Sequence, residues 1–272
     1  MTGSWSEKAA EEARKYTSNV NVVSCKTAAG FTTITEQSKW SLGEGASYVY
    51  YCDNETVDGV EFPFVPDVKV PLVCDMSSNI LSRPVDVSKF GMIYAGAQKN
   101  IGPSGVTVVI VREDLLGRQL DITPTMMNLK IAADNRSLFN TPPTFAIYMS
   151  GLVFEWMLGA GGMSHFEATS RRKSERIYKV IDGSKGFYFS PVEGPFRSRM
   201  NITFRIRSPK TGEKDEGLEG KFVTEAEKRG MHQLKGHRSV GGIRASVYNA
   251  VTEEAVEVLA KFMEEFHKTH SA

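Results

Sequence analysis

The residues here that could do chemistry are a lysine after one apolar run, an acid ending another, and a late arginine–histidine cluster. Lys99 lies in AGAQKNIGPSGVTVVIV, between two apolar stretches. Asp75 ends the run VPLVCD, 24 residues earlier. A lysine flanked by core is costly unless it is paired or loses its charge, and a lysine at a strand end is ordinarily a solvated one. Three features argue that this one is used. Small residues (Ala95, Gly96, Ala97) precede it and leave room for a bulky group, a Gly/Pro loop follows at once, and an acid ends a second apolar run. Ligands of α/β sheets sit at the carboxyl ends of strands, so acid and lysine could face one pocket. The pairing suits pyridoxal phosphate. The amine forms a Schiff base with the cofactor aldehyde, and the acid keeps the pyridine nitrogen protonated, which makes the ring an electron sink.

The elements that must position these residues follow from the apolar pattern. Ser4-Trp5-Ser6-Glu7 has the form of a capping box and opens a helix over 7–16. Short apolar runs at 20–25, 46–52, 70–75, 91–97 and 106–111 read as strands, with VPLVCD buried on both faces. A turn and strand read in VDGVEF at 57–62. Strands separated by loops and helices suggest a largely parallel α/β sheet. Pro142-Pro143 opens a helix over 144–159, apolar on most faces, and glycines at 159–162 break it. A second, amphipathic helix reads over 164–181. Beyond DGSKG the texture changes to half-exposed strands (FYFS, MNITFRIR, GGIRASVY) and helices over 215–229 and 252–269. The division expected is a large domain over 1–160 and a smaller C-terminal α/β domain over 161–272.

Composition narrows the class. The 272 residues, 41 % apolar and 24 % charged, are ordinary for a globular chain. A net charge of +1, from 33 basic and 32 acidic residues, leaves no electrostatic footprint for nucleic acid or an anionic membrane. No apolar run is long enough to span a bilayer. Residues 1–20 lack the apolar segment of a signal peptide and are too acidic for a transit peptide, so a cytoplasmic chain is expected. Cys25, Cys52 and Cys74 are far apart and look strand-borne, which reads as reduced core thiols. The five histidines have no metal-ligand spacing.

YYCDNETVDGVEF, VCDMSSN, AGAQKNIGPSGVTVVIVREDLLG, FNTPPTFAIY and KGHRSVGGIRASVYNAV occur in this order. Together they resemble the phosphoserine aminotransferases, a family of class-V pyridoxal-phosphate aminotransferases. The resemblance runs the length of the chain. It implies the aspartate-aminotransferase-like fold (type I), with a mixed, mostly parallel sheet in the large domain, a smaller C-terminal α/β domain, and a homodimer. By the same resemblance Lys99 is similar to the lysine that carries the cofactor and Asp75 to the partner of the pyridine nitrogen. Trp5 matches the aromatic that stacks on the ring, Thr56 a hydroxyl donor to the pyridine 3-oxygen, and Gln98 a ligand of the cofactor phosphate. Asn140 and Thr141 match residues that reach the phosphate in the neighbouring subunit. His237, Arg238 and Arg244 match the substrate-binding cluster: Arg244 for the α-carboxylate, the other two for the far anion. The implied reaction moves an amino group from glutamate to 3-phosphohydroxypyruvate, giving phosphoserine and 2-oxoglutarate, with Lys99 as general acid/base.

The family pattern also has a segment ahead of the Gly3-Ser4-Trp5 motif. That segment carries a His-Arg pair and a glycine-rich turn for the phosphate, and the chain is expected to lack it. A short form that binds partner subunits without catalysis is the first alternative. A cysteine desulfurase is the second. It would need a nucleophilic cysteine on a mobile loop, whereas the three cysteines read as strand-buried.

Overall fold

The computed structural model describes residues 1–271. Helix α1 (Ser4–Ala13) leads into a long irregular stretch that holds a short antiparallel pair, β1 (Lys26–Thr27) and β2 (Gly30–Phe31). A four-stranded sheet follows: β3 (Val49–Cys52), β4 (Leu72–Asp75), β5 (Met92–Gly96) and β6 (Thr107–Val111), in that spatial order. The β3–β4 and β4–β5 pairs are parallel and β5–β6 is antiparallel, so the sheet is mixed and mostly parallel. Helices α2 (Leu129–Asp134), α3 (Thr144–Gly159) and α4 (Gly162–Gly183) connect it to a three-stranded antiparallel sheet. There β8 (Asn201–Ile206) lies between β7 (Tyr188–Phe189) and β9 (Ile243–Ser246), accompanied by α5 (Glu216–Lys228) and α6 (Glu253–His270).

Several sequence expectations need correction. Residues 20–25 form no strand, and Cys25 is buried without being strand-borne. Helix α1 begins at Ser4, three residues early, and the Ser4/Glu7 box does not form. Ser6 Oγ instead accepts from the Thr2 and Gly3 N–H groups, and Glu7 pairs with Lys26. On β4 only Leu72 and Cys74 are buried, while Val73 and Asp75 are half-buried. The C-terminal strand expected to be half exposed, β8, is buried at five of its six positions, because helices pack against the sheet it centres.

Two cores result. The C-terminal one joins Tyr188, Phe204, Phe222, Phe262 and Phe266 with Ile177 and Ile181 of α4. Truncating one such ring to alanine costs roughly 3–5 kcal/mol. The other lies under the mixed sheet around Tyr51, Phe62, Leu72, Cys74 and Ile93. The segment between β3 and β4 bridges them. Asn54 Nδ2 donates to Asn201 Oδ1 at 2.8 Å, Arg199 N–H donates to Glu61 Oε2 at 2.7 Å, and Thr203 Oγ1 donates to Asp58 O at 3.1 Å. Helix α3 buries only Ala146, Ser150 and Met157, leaving Phe145, Tyr148 and Leu158 exposed. Among the described residues no helix is long and apolar enough to cross a membrane.

Candidate active site

Strand β4 ends at Asp75 because the chain then turns. Asp75 Oδ1 accepts from the Ser77 N–H at 2.8 Å, and Ile80 N–H donates to Met76 O at 2.8 Å. Ser77 Oγ in turn accepts from the Gly96 N–H at 3.0 Å, which ties the ends of β4 and β5 together. Lys99 sits on the turn just beyond β5. Ala95, Ala97 and Ile101 are buried around it, so the turn hangs from the core. Gly102 allows close packing on α3: a Cβ there would lie 2.7 Å from Ser150 Oγ.

Lys99 is half-buried and donates to Thr56 Oγ1 at 2.8 Å. It makes no ion pair among the described residues. Burial lowers its pKa below the ordinary lysine value, the Asp75 carboxylate opposes that, and the Arg244 guanidinium reinforces it. Arg244, on β9, donates from Nη1 to Thr56 O at 3.3 Å, and its buried Nε has no partner among the described residues. A buried guanidinium N–H left open is a donor suited to a carboxylate. Thr56 thus meets Lys99 with its hydroxyl and Arg244 with its carbonyl. Across the β4–β5 register Asp75 faces Tyr94, whose hydroxyl lies 3.1 Å from that of Tyr50. Burial first, then the Asp75 carboxylate, pushes the Tyr94 phenol upward.

The other expected residues make no hydrogen bond to Lys99, Thr56 or Arg244. Trp5 is half exposed at the start of α1, with Lys8 Nζ 4.8 Å from its ring centroid. Its backbone is held by Glu55, whose carboxylate accepts from the Trp5 and Ser6 N–H groups at 2.9 Å each. Gln98 is exposed, with its amide over Gly96. His237 and Arg238 occupy the loop before β9, where His237 Nδ1 lies 2.6 Å from Ser239 Oγ. Neither makes a hydrogen bond to Lys99 or Arg244. Asn140 and Thr141 are exposed ahead of α3, and Asn140 Nδ2 contacts Met126 Sδ at 3.0 Å. They too make no hydrogen bond to Lys99, Thr56 or Arg244.

Sequence reasoning missed Glu55, Ser77 and Tyr94. Ser77 had a usable signal, because Asp-x-Ser after a strand is the pattern of an aspartate turn. Glu55 had none, since its partners are backbone N–H groups 49 and 50 residues away. Cys25, Cys52 and Cys74 are buried free thiols. Burial drives the Cys52 and Cys74 pKa values well up, which removes thiolate character. Among the described residues no cluster of His, Cys, Asp or Glu could hold a metal ion.

Comparison with known proteins agrees with this fold. The model of the family "Aminotransferase class-V" matches residues 1–259. A phosphoserine aminotransferase of Drosophila melanogaster is 57 % identical over 272 residues, which span 99 % of this chain and 73 % of that protein. The solved phosphoserine aminotransferase of Bacillus circulans subsp. alkalophilus superposes with a TM-score of 0.90 at 45 % identity, covering 99 % of this chain and 73 % of that one. A pyridoxal-phosphate-bound phosphoserine aminotransferase of Trichomonas vaginalis gives 0.88 at 41 % identity, covering 97 % and 73 %. With the match over residues 1–259 and this fold, the chain belongs to the class-V aminotransferase family.

Proposed function

We propose that this chain is a pyridoxal-phosphate-dependent aminotransferase that moves an amino group from glutamate to 3-phosphohydroxypyruvate, giving phosphoserine and 2-oxoglutarate in serine biosynthesis. The observation that carries the reading is the Lys99–Thr56–Arg244 group, with Asp75 acting on the same lysine and an open Arg244 Nε. The donor set fits the cofactor: a half-buried amine without an ion pair, an acid at a neighbouring strand end, and an unpartnered guanidinium N–H.

The residues would divide the work as follows. Lys99 would carry pyridoxal phosphate, and Asp75 would hold a proton at the ring nitrogen. Thr56 would orient the ring through its hydroxyl, Trp5 would cover one face, and Gln98 would bind the phosphate with Asn140 and Thr141 of a second copy. When bound, the cofactor supplies a sink for the electron pair left at a substrate α-carbon. A lowered amine pKa suits Lys99 to take and return the α-proton near neutral pH. Arg244 would hold the α-carboxylate, and His237 and Arg238 the phosphate or side-chain carboxylate. The exposed apolar face of α3 supports a homodimer, since monomers rarely leave such a face bare. Buried free thiols support a cytoplasmic setting. We propose the boundary at the break between α3 and α4, with the cofactor domain over 1–160 and the small domain over 161–272.

Incubation with pyridoxal phosphate, glutamate and 3-phosphohydroxypyruvate tests the reading. Release of 2-oxoglutarate is expected, with no sulfide when cysteine replaces glutamate. A chain that binds the cofactor but releases no 2-oxoglutarate contradicts the proposed reaction and favours a non-catalytic short form.

A further inference from the structure

Two asparagines outside the proposed chemistry tie together the three segments that carry it. Asn100, buried beside Lys99, donates from Nδ2 to Ile80 O at 2.8 Å and accepts at Oδ1 from the Asn249 N–H at 2.9 Å. Asn249 is buried as well and donates from Nδ2 to Leu81 O at 2.8 Å. Ile80 and Leu81 belong to the turn after Asp75. Asn249 lies in the loop that leaves β9, five residues beyond Arg244. The turn after Asp75, the turn of Lys99 and the strand of Arg244 therefore meet at one node.

The loop is held from its other side by a lysine. Lys173 of α4, only 1 % exposed, donates to Val247 O at 3.0 Å, Tyr248 O at 2.8 Å and Val251 O at 2.7 Å. An ammonium has three N–H bonds, and all three go to this loop. Leu81 has φ 63°, a left-handed conformation that a bulky residue adopts only where its surroundings impose it. The Asn249 amide on its carbonyl is such an imposition. Asn249 Oδ1 is buried with no partner among the described residues, so the Leu81 carbonyl sets the orientation of the side chain.

We infer that Asn249 is a positioning residue for carboxylate recognition: through Asn100 and Leu81 it fixes Arg244 relative to Lys99 and Asp75. The inference rests on the aminotransferase reading above. Arg244 belongs to the small sheet and Lys99 to the large one, and a substrate held by both is sensitive to displacements of about 1 Å. The Asn100–Asn249–Leu81 bonds span that junction.

Calorimetric titration with glutarate, an unreactive dicarboxylate, tests this on the chain with and without pyridoxal phosphate. Asn249→Ala removes the amide, and Asn249→Ser is the milder variant should the first not fold. Thermal melting and circular dichroism report folding. The folded variant should take up pyridoxal phosphate with a Kd within about twofold of the parent chain, because Asn249 makes no hydrogen bond to any residue assigned to the cofactor. It should bind glutarate about tenfold more weakly, the scale of one buried hydrogen bond. An unchanged glutarate Kd in a folded variant overturns the inference and leaves the aminotransferase reading standing. A parent chain that takes up no pyridoxal phosphate overturns both.

Discussion

Lys99 Nζ donates to Thr56 Oγ1 at 2.8 Å, across 43 residues of chain, and the carbonyl of the same threonine accepts from Arg244 Nη1 at 3.3 Å. One small residue thus holds two cations near each other in a half-buried site. Burial and the Arg244 charge both disfavour the protonated form of Lys99. The site therefore keeps its lysine amine easier to deprotonate than a surface lysine, with Asp75 as the counterweight.

That balance predicts opposite effects from two neutralising substitutions. Asp75→Asn removes the charge that opposes burial, so the Lys99 pKa falls further. Arg244→Gln removes a charge that lowers it, so the pKa rises. The pH midpoint of amine-reagent labelling at Lys99, read by mass spectrometry, should move to lower pH in the first variant and to higher pH in the second. Shifts in the same direction would contradict the electrostatic account.

The loop bearing His237 and Arg238 is closed by Gly236, whose N–H donates to Gly242 O at 2.8 Å. A Cβ at 236 would lie 2.0 Å from the Gly241 carbonyl oxygen, and backbone cannot move aside cheaply. Gly236→Ala should therefore open the loop. The expected result is a KM for 3-phosphohydroxypyruvate raised about tenfold, the scale of one charge-assisted contact, with cofactor uptake unchanged. Equal loss of cofactor binding would place the loop's role elsewhere.

Lys173 makes stability depend on pH. Burial lowers its pKa to about 8 from an ordinary value of 10.5. Between those values the unfolded chain binds more protons than the folded one, so unfolding free energy rises with pH there. Relative to Lys173→Met, the parent chain should gain stability from pH 8 to pH 10, by at most about 1.4 kcal/mol per pH unit. Chemical denaturation at several pH values reads the difference. A falling difference would show that its three carbonyl partners outweigh burial.

Elements with a strong periodic signal were legible in the sequence. The helix expected over 144–159 is α3, and the acid of VPLVCD does end a strand beside the lysine's turn. Residues 20–25 misled because a run such as VNVVSC has strand propensity but meets only the backbone of Met1, whose N donates to Val23 O and whose O accepts from the Cys25 N–H, and two bonds do not make a ladder. The half-exposed reading of β8 failed because helices α4 and α5 pack on the strand and the distant segment after β3 also bonds it, through Asn54 to Asn201 and Asp58 to Thr203. In the site, Lys99, Asp75, Thr56 and Arg244 could be named from their strings. Glu55, Asn100 and Asn249 could not, because each acts on backbone groups that only the folded chain brings near.

The central claim, that Lys99 carries the cofactor, has a direct spectroscopic test. The chain is incubated with pyridoxal phosphate, desalted, scanned for visible absorbance, then reduced with borohydride and digested. The account predicts a band that survives desalting, a modified peptide containing Lys99, and loss of both in Lys99→Ala. A chain that retains no band, or a band that persists in Lys99→Ala with the label on another lysine, would contradict it.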